Sequence, residues 1–336
     1  MRIMYKIIKD DNIDKIAWEN LQELSPTVSW FQSYNCYQFY KKLDFLKPLA
    51  IAIKKQDELL VLVCGYIIAD GGMIKRFMSR RAIIPGGMLI GANCDKNAIE
   101  MLLKYLTESV SKDAIYTEFR NYFDYSEHRN SFERCGYTYL PHLNFQISTP
   151  SVEHCLKELS TTKRRDVKQS LKQGAEISET KNRNEVDEFY ILLFDLYKTK
   201  IRTPLFPKDF FHKIVEFPDA HLFVIKYDNK IIGGSLCVGL EKEILYEWFV
   251  CGLDGKYKNI YPSTLATWAA VEYSALHNFR YFDMMGAGKP DEDYGVRDFK
   301  AKFGGELLEH GRYLKIHHSF LYNTGKKVVE FIKSRK

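Results

Sequence analysis

One lysine and two aspartates near the end of the chain are the residues best suited to catalysis. Lys300 lies in the segment DFKAKFGG, and Asp283 and Asp293 are carboxylates of the stretch that precedes it. An ammonium group can stabilise the oxyanion that develops on an ester carbonyl, and a carboxylate can accept a proton. Nothing in the sequence singles out one aspartate as the base. Neither a Ser-His-Asp nor a Cys-His arrangement is evident, so the sequence offers no nucleophile with an adjacent base.

Local elements must position Lys300. Tyr281–Met285 predicts a buried strand, and Pro290 with its acidic neighbours predicts the start of a helix, where carboxylates face unpaired N–H groups. Phe299 and Phe303 lie on one face of that helix, and Gly304-Gly305 predicts its end. Lys300 therefore lies beside the apolar face, from which it could reach a cleft.

Seven further side chains are candidates for substrate contacts, because they are aromatic rings or cations close to predicted element ends: Tyr246, Trp248, Phe299, Arg202, Lys163, Arg164 and Arg165. Tyr246 and Trp248 alternate on one strand, so they share a face while Glu247 points to the other. An arginine can grip a phosphate as a planar fork, and a basic helix attracts polyanions. The alternatives are two core aromatic residues and solvated basic surfaces.

Composition indicates a soluble globular protein of ordinary make-up. The 336 residues fit two domains, and the net charge of +6 permits a polyanionic partner without requiring one. The seven cysteines form no CxxC motif and mostly lie in apolar runs, which predicts reduced, buried thiols in the cytoplasm. No metal-ligand spacing and no cofactor motif is seen. No signal peptide or membrane span is predicted, so only peripheral membrane contact is left open.

The two halves of the chain repeat one order of elements. A run of strands, which includes the predicted strand Met73–Ser79, precedes a helix, a strand, a second helix and a last strand, predicted at Tyr137–Ile147 in the first half and Leu307–Ile316 in the second. This order predicts a tandem α/β unit with a mixed sheet. The predicted domains are residues 1–149 and 150–316, and a terminal helix follows over residues 317–336.

Several motifs resemble the FemAB family, which comprises aminoacyltransferases that build peptidoglycan bridges with aminoacyl-tRNA as donor. They are Phe282-Asp283, Asp293-Tyr294-Gly295 and the Phe299-Lys300-x-x-Phe303-Gly304-Gly305 segment, with weaker matches at Arg202 and at Lys163-Arg164-Arg165. The resemblance implies two tandem GNAT-like domains, each with a mixed, largely antiparallel sheet flanked by helices. It also implies that the terminal helix packs back on the first domain.

The resemblance implies a cytoplasmic aminoacyltransferase whose partners are an aminoacyl-tRNA and a nucleotide- or lipid-linked peptidoglycan precursor. Lys300 would then be the catalytic cation. Trp248 departs from the family's Tyr-x-Tyr pattern and lacks the second hydroxyl. In Leu253–Ser263, Gly255 comes early, and Tyr261-Pro262 stand where glycines would bring backbone N–H groups onto the pyrophosphate of acyl-CoA. Pro262 supplies no N–H.

Two other functions stay open at this point. The first is a GNAT-type N-acyltransferase that uses acyl-CoA or another acyl donor on a sugar or amine. The second is a non-catalytic protein that binds tRNA or a lipid head group, against which the Phe299-Lys300 spacing argues.

Overall fold

A computed structural model of the chain describes residues 5–240 and 242–334. Side chains are described for all of these residues except 73, 74 and 328–334. The first part of the chain contains β1 (Tyr5–Lys9), β2 (Leu46–Lys55), β3 (Glu58–Ile68), β4 (Arg81–Gly86), β5 (Leu89–Ile90), β6 (Tyr116–Asn121) and β7 (Thr138–Leu140), with α1 (Lys15–Leu24), α2 (Tyr34–Lys41), α3 (Met73–Ser79), α4 (Lys96–Val110) and α5 (Arg129–Arg134).

The second part contains the strands β8 (Leu143–Ser148), β9 (Glu176–Glu179), β10 (Ala220–Tyr227), β11 (Lys230–Leu240), β12 (Ile244–Gly252), β13 (Tyr281–Gly286) and β14 (Glu306–Glu309). Its helices are α6 (Val152–Glu158), α7 (Thr161–Lys172), α8 (Arg183–Leu196), α9 (Lys208–Ile214), α10 (Pro262–Leu276) and α11 (Gly295–Ala301). The chain ends with β15 (Arg312–Ile316) and α12 (Ser319–Ser334).

The described residues form two compact units, one from residues up to Pro141 together with those from His310, and the other from His142–Glu309. The sheet of the first unit has the order β1-β2-β3-β4-β6-β15-β7, with β5 beside β3. The sheet of the second has the order β14-β8-β13-β12-β11-β10-β9.

Both sheets are mixed and largely antiparallel, as the sequence predicts. In the part of the chain that is described, each sheet has one parallel pair, β4 with β6 and β12 with β13. One long helix connects each parallel pair, α4 in the first unit and α10 in the second. The predicted tandem repeat is therefore present, because a parallel pair needs a crossover connection and both units make it with a helix.

Capping and apolar periodicity explain the helix α4. The Asp95 carboxylate accepts hydrogen bonds from the N–H groups of Asn97 and Ala98, which satisfies donors that the first helical turn leaves open. Leu102 and Leu106 are fully buried on the face that packs on the sheet. Each such leucine contributes about 2 kcal/mol through burial.

Two predicted strands are each divided in the structure, and both divisions fall at the boundary between the units. β7 and β8 are separated at Pro141, and β14 and β15 at Gly311, whose φ of +65° suits glycine. β8 pairs with β13 and β14, whereas β15 pairs with β6 and β7. The units therefore differ from the domains predicted at 1–149 and 150–316, because β8 belongs to the second unit and β15 belongs to the first.

The terminal helix was predicted over residues 317–336, of which the last two lie outside the described residues. α12 belongs to the first unit, and the ring of Tyr322 meets that of Tyr116 with centroids 5.4 Å apart.

Two local predictions were wrong. Met73–Ser79 is the helix α3 instead of a strand, and Ser79 Oγ donates to the carbonyl of Lys75 at 2.7 Å one turn earlier. α11 begins at Gly295 instead of Pro290. Pro290 lies in an exposed turn, where Lys289 pairs with Glu292 at 2.7 Å, so the acidic residues lie outside the helix.

Candidate active site

The strands β12 and β13 separate after a short parallel pairing. Their register runs from Ile244 opposite Tyr281 to Tyr246 opposite Asp283. β13 then continues beside β8, where Gly286 lies opposite Asn144. Backbone groups beyond Asp283 consequently need partners other than β12.

The side chain of Lys300 is the hydrogen-bond partner of three of these backbone groups. Its Nζ donates to the carbonyl of Met284, to that of Gly286 at 2.9 Å and to that of Met285 at 3.4 Å. The residue is only 7% exposed. The ammonium group therefore fixes the end of β13 from within the unit, whereas the sequence interpretation placed it at a cleft.

Two buried carboxyl groups accompany this cation. Asp283 Oδ1 accepts the N–H of Met285 at 2.6 Å, and Glu247 Oε1 accepts a hydrogen bond from Ser235 Oγ at 3.2 Å. Burial raises the pKa of Asp283 to about 6, although the nearby charge of Lys300 acts in the opposite direction. Burial likewise raises the pKa of Glu247 and lowers the pKa of Lys300. Lys300 and the two carboxyl groups on which its charge acts, Asp283 and Glu247, form the Lys300 cluster at the point where the strands separate.

Glu247 was not among the predicted site residues. The sequence places it between two aromatic residues in LYEWF, and a carboxylate inside an otherwise apolar strand is the signal that could have identified it.

Lys163 lies next to Phe299, so the fold unites two residues that are distant in sequence. Lys163 Nζ donates to Thr264 Oγ1 at 2.6 Å and lies 3.9 Å from the centroid of the Phe299 ring. The Phe303 ring is 5.3 Å away. Burial lowers the pKa of Lys163. Phe299 precedes Lys300 on α11. This helix therefore contacts Lys163 through Phe299 and carries Lys300 as its next residue.

The other three predicted cations have different surroundings. Arg164 donates to the carbonyls of Lys157 at 2.9 Å and Leu159 at 3.0 Å, which closes the end of α6. Arg165 pairs with Asp166 at 3.2 Å, and Arg202 is exposed in a left-handed conformation with φ of +58°. Among the described residues, no hydrogen bond or ion pair joins these arginines to Lys300, and their substrate roles stay predictions.

A β-bulge alters the strand that carries the two predicted aromatic residues. Phe249 lies opposite Leu236 and Glu247 opposite Cys237, so Trp248 is the extra residue on β12. Trp248 is partly buried and packs on Phe210, with ring centroids 5.0 Å apart. Tyr246 is fully buried. Any contact that either ring makes with a substrate stays a prediction.

The start of α10 carries its own carboxylate. Pro262 is the first helical residue, and the N–H of Ser263 donates to Asp254 Oδ1 at 3.1 Å. Gly252 packs so closely here that a Cβ would lie 2.3 Å from the nitrogen of Ser263. A carboxylate satisfies the N–H that would otherwise bind an anion, and its charge opposes a phosphate at that position.

Metal-binding groups and membrane-spanning helices are both absent from the part of the chain that the structure describes. None of their His, Cys, Asp and Glu side chains form a group of three or more that could hold a metal ion. In the same part of the chain, every helix is too short or too polar to cross a bilayer.

Comparison with known proteins identifies the fold. Residues 161–300 match the family model of the acetyltransferase (GNAT) domain. FemX has a TM-score of 0.71 at 14% identity, covering 94% of this chain and 99% of its own. A tandem GNAT protein from the clavulanic acid biosynthesis pathway has a TM-score of 0.60 at 10% identity, covering 94% and 99%. L-PGS from Bacillus licheniformis has a TM-score of 0.57 at 13% identity, covering 93% and 96%.

No curated protein matches the sequence. At these identities the structural similarity establishes the fold, and it confirms the predicted tandem GNAT-like architecture and its likeness to FemAB proteins. The match over residues 161–300 agrees with the predicted enzyme class. The second unit therefore contains an acyltransferase domain of the GNAT type, and the chain has the tandem fold that FemX shows.

Proposed function

We propose that this acyltransferase moves an amino acid from aminoacyl-tRNA to the peptide amine of a peptidoglycan precursor. The observation that carries the proposal is the contact between Asp254 and the N–H of Ser263 at the start of α10. A GNAT enzyme that uses acyl-CoA needs this helix start for the pyrophosphate, and here a carboxylate holds it. The FemAB-like motifs and the fold similarity to FemX support a donor of the aminoacyl-tRNA kind.

The proposed reaction needs little covalent assistance from the protein. The acceptor amine attacks the carbonyl carbon of the aminoacyl ester, an amide bond forms, and the bond to the ribose oxygen of the tRNA breaks. The proton lost by the amine replaces that bond on the departing oxygen, directly or through solvent. Positioning and a fixed positive charge near the oxyanion are the main requirements.

Lys300 and Lys163 are the cations that suit this reaction. Lys300 is held by three carbonyl groups, so its charge occupies a fixed place beside the separated strands. Lys163 is held by Thr264 at the start of α10. We infer that Lys300 positions the end of β13 and contributes its field, while Lys163, Arg164, Arg165 and Arg202 attract the phosphates of the substrates.

A transfer assay tests the proposal. The purified chain would be given a nucleotide-linked or lipid-linked muramyl peptide with either tRNA charged with a labelled amino acid or labelled acetyl-CoA. We expect label in the peptide with charged tRNA and background counts with acetyl-CoA. Turnover with acetyl-CoA and none with a panel of charged tRNAs would contradict the proposal.

A second candidate function is N-acylation from acyl-CoA, and the match of residues 161–300 to an acetyltransferase family favours it. Calorimetric titration with CoA separates the two. Replacement of Asp254 by Asn removes the negative charge that opposes a phosphate. Weak CoA binding that appears only in this variant would support aminoacyl transfer from tRNA. Tight binding to the unaltered chain would support the second.

A further inference from the structure

The positive charge of the chain is concentrated in two short segments. Residues 70–81 carry four basic side chains and one acidic one, and residues 319–336 carry five basic side chains and one acidic one. The whole chain has 49 lysines and arginines and 43 aspartates and glutamates, so the rest of the sequence has 40 basic residues against 41 acidic ones. The two segments therefore account for the entire net charge of +6, which indicates a local attraction for an anionic partner.

The fold brings these two segments together in the first unit. The earlier segment contains α3 and the later one contains α12. Gly325 of α12 lies against α3, because a Cβ on this glycine would be 3.8 Å from the carbonyl oxygen of Met78. Two basic helices thus lie side by side, although most of the chain separates them in sequence.

An aromatic ring projects from each of these helices. Phe320 of α12 is 81% exposed, and Phe77 of α3 is 52% exposed. Tyr322 packs on the ring of Tyr116 in the sheet, and Phe320 is directed away from the sheet because two residues turn a helix by about 200°. A ring that projects so far can bury most of its surface only in a partner that surrounds it.

Basic side chains accompany both rings. Lys75 and Arg76 directly precede Phe77 on α3, and both are exposed. Lys327 is exposed and lies two turns after Phe320 on the same side of α12. We name these five residues the basic aromatic surface.

Another exposed apolar side chain of the first unit has a different electrostatic setting. Leu24 at the end of α1 is 74% exposed. The same helix carries Glu19 and Glu23 but only one basic residue, Lys15. The combination of projecting rings and excess positive charge is therefore a property of α3 and α12, and it is not shared by α1.

We propose that the basic aromatic surface binds the anionic lipid surface of a membrane. Helices that present basic and aromatic side chains together bind peripherally to anionic bilayers, where the rings enter the boundary of head groups and acyl chains and the cations face the lipid phosphates. A stacked nucleic-acid base covers only one face of a ring, whereas lipid surrounds a ring, so the exposure of Phe320 favours a membrane. The proposal uses only charge and exposure in the first unit and does not depend on the acyl-transfer reaction.

Co-sedimentation of the full chain with lipid vesicles tests the proposal. One set of vesicles contains phosphatidylglycerol and phosphatidylcholine in equal parts, and the other contains phosphatidylcholine alone. We expect the chain to bind the anionic vesicles about tenfold or more tightly than the neutral ones, because basic residues are attracted to anionic lipid. Added salt should weaken the binding to the anionic vesicles.

One variant measures the contribution of the projecting ring. Phe320→Ser should weaken binding to the anionic vesicles about fivefold or more, since the ring no longer enters the lipid. Leu24→Ser is the matched control, because it also removes a highly exposed apolar side chain from a helix of the first unit. The control should change the affinity less than about twofold.

A double variant measures the contribution of charge. Lys75→Gln combined with Arg76→Gln should weaken binding about tenfold or more, since each basic residue at an anionic surface contributes about fivefold. Lys6→Gln combined with Lys9→Gln is the control with the same loss of net charge, because both lysines are exposed on the edge strand β1. This control should change the affinity less than about twofold, since charges remote from the lipid are screened.

Thermal unfolding of each variant verifies folding, and if Phe320→Ser does not fold, the double variant of α3 carries the comparison. Absence of binding to anionic vesicles at millimolar lipid would overturn the proposal, as would equal affinities of a folded variant and its control. Titration with uncharged tRNA is the last arm. Binding of tRNA that weakens in the α3 variant, without any binding to vesicles, would assign the surface to nucleic acid and overturn the proposal, whatever the outcome of the transfer assay.

Discussion

At the scale of single residues, Lys300 holds three backbone carbonyl groups, and its charge acts on two buried carboxyl groups. Its ammonium group donates to Met284, Met285 and Gly286, where β12 is no longer a neighbour of β13. Met285 has a left-handed backbone with φ of +58°, which is unfavourable for a side chain of its size. Its N–H donates to Asp283 and its carbonyl accepts from Lys300, so both ends of this residue are held.

Lys300→Met should lower the free energy of unfolding by about 3–5 kcal/mol, because it leaves buried carbonyl and carboxyl groups without their cation. It should also reduce acyl transfer strongly. Urea unfolding followed by circular dichroism measures the first effect. Lys302→Met is the control, since Lys302 is exposed two residues further on, and it should lie within about 0.5 kcal/mol of the unaltered chain. Equal stability of the two variants would contradict the role of Lys300.

Asp283 predicts a pH dependence of stability. Its pKa is raised by burial from 3.8 to about 6, so the folded state binds more protons than the unfolded state between these values. Stability from this group is therefore fully present below about pH 4 and is lost as the pH rises toward 6, by about 2–3 kcal/mol. Asp283→Asn should abolish this contribution while its Oδ1 still accepts the N–H of Met285.

Urea unfolding at pH 4, 5, 6 and 7 measures the difference between the unaltered chain and Asp283→Asn. The free energy of unfolding of the unaltered chain, relative to that of Asp283→Asn, should decline as the pH rises. Asp298→Asn, on the exposed side of α11, is the surface control. A difference that stays constant with pH would exclude a raised pKa at Asp283.

At the scale of elements, the two glycines after α11 direct the chain into β14. Gly304 and Gly305 both have a φ of +83°, the conformation in which glycine carries no steric cost. A Cβ on Gly305 would lie 2.5 Å from the carbonyl oxygen of Gln146, which is backbone of the paired strand β8. This stop was correctly predicted from the sequence, because the left-handed helix end is a local requirement.

Gly305→Ala should destabilise the protein by about 2 kcal/mol or more, since the alanine combines an unfavourable φ with contact against a backbone atom that cannot move aside. Gly295→Ala is the matched control, because a Cβ there meets no atom within 4 Å. The control should be neutral or up to about 1 kcal/mol stabilising, since alanine favours helix. Thermal unfolding compares both variants with the unaltered chain, and similar losses in both would refute the steric explanation.

At the scale of the whole molecule, the second unit is a continuous stretch of chain and the first is made of two stretches. β8 lies between β13 and β14 in the second sheet, and β15 lies between β6 and β7 in the first. Each of these strands is thus internal to one sheet and has hydrogen-bonding partners on both sides.

A fragment of residues 142–309 should fold by itself, because it retains every described strand of its sheet. A fragment of residues 150–316, the domain predicted from sequence, should not fold cooperatively, since it lacks β8 and exposes the edges of β13 and β14. Circular dichroism and urea unfolding of the two fragments provide the comparison. Cooperative unfolding of both, with equal midpoints, would show that β8 is dispensable.

The sequence by itself determined the features that depend on neighbouring residues. The repeated order of strands and helices and the stop at Gly304-Gly305 follow from local preferences and periodicity. The pairing of Lys163 with Phe299 was not foreseen, although both residues were candidates.

Only the tertiary structure decided which strands share a sheet and what surrounds each charge. Tyr137–Ile147 and Leu307–Ile316 each appear as one strand in the sequence, because apolar residues lie on both sides of Pro141 and on both sides of residues 309–312. Strand pairing depends on hydrogen bonds between residues far apart in the chain, and local composition does not specify them. The same reason hid the partners of Lys300, since its carbonyl acceptors and the carboxyl group of Glu247 come from two other strands.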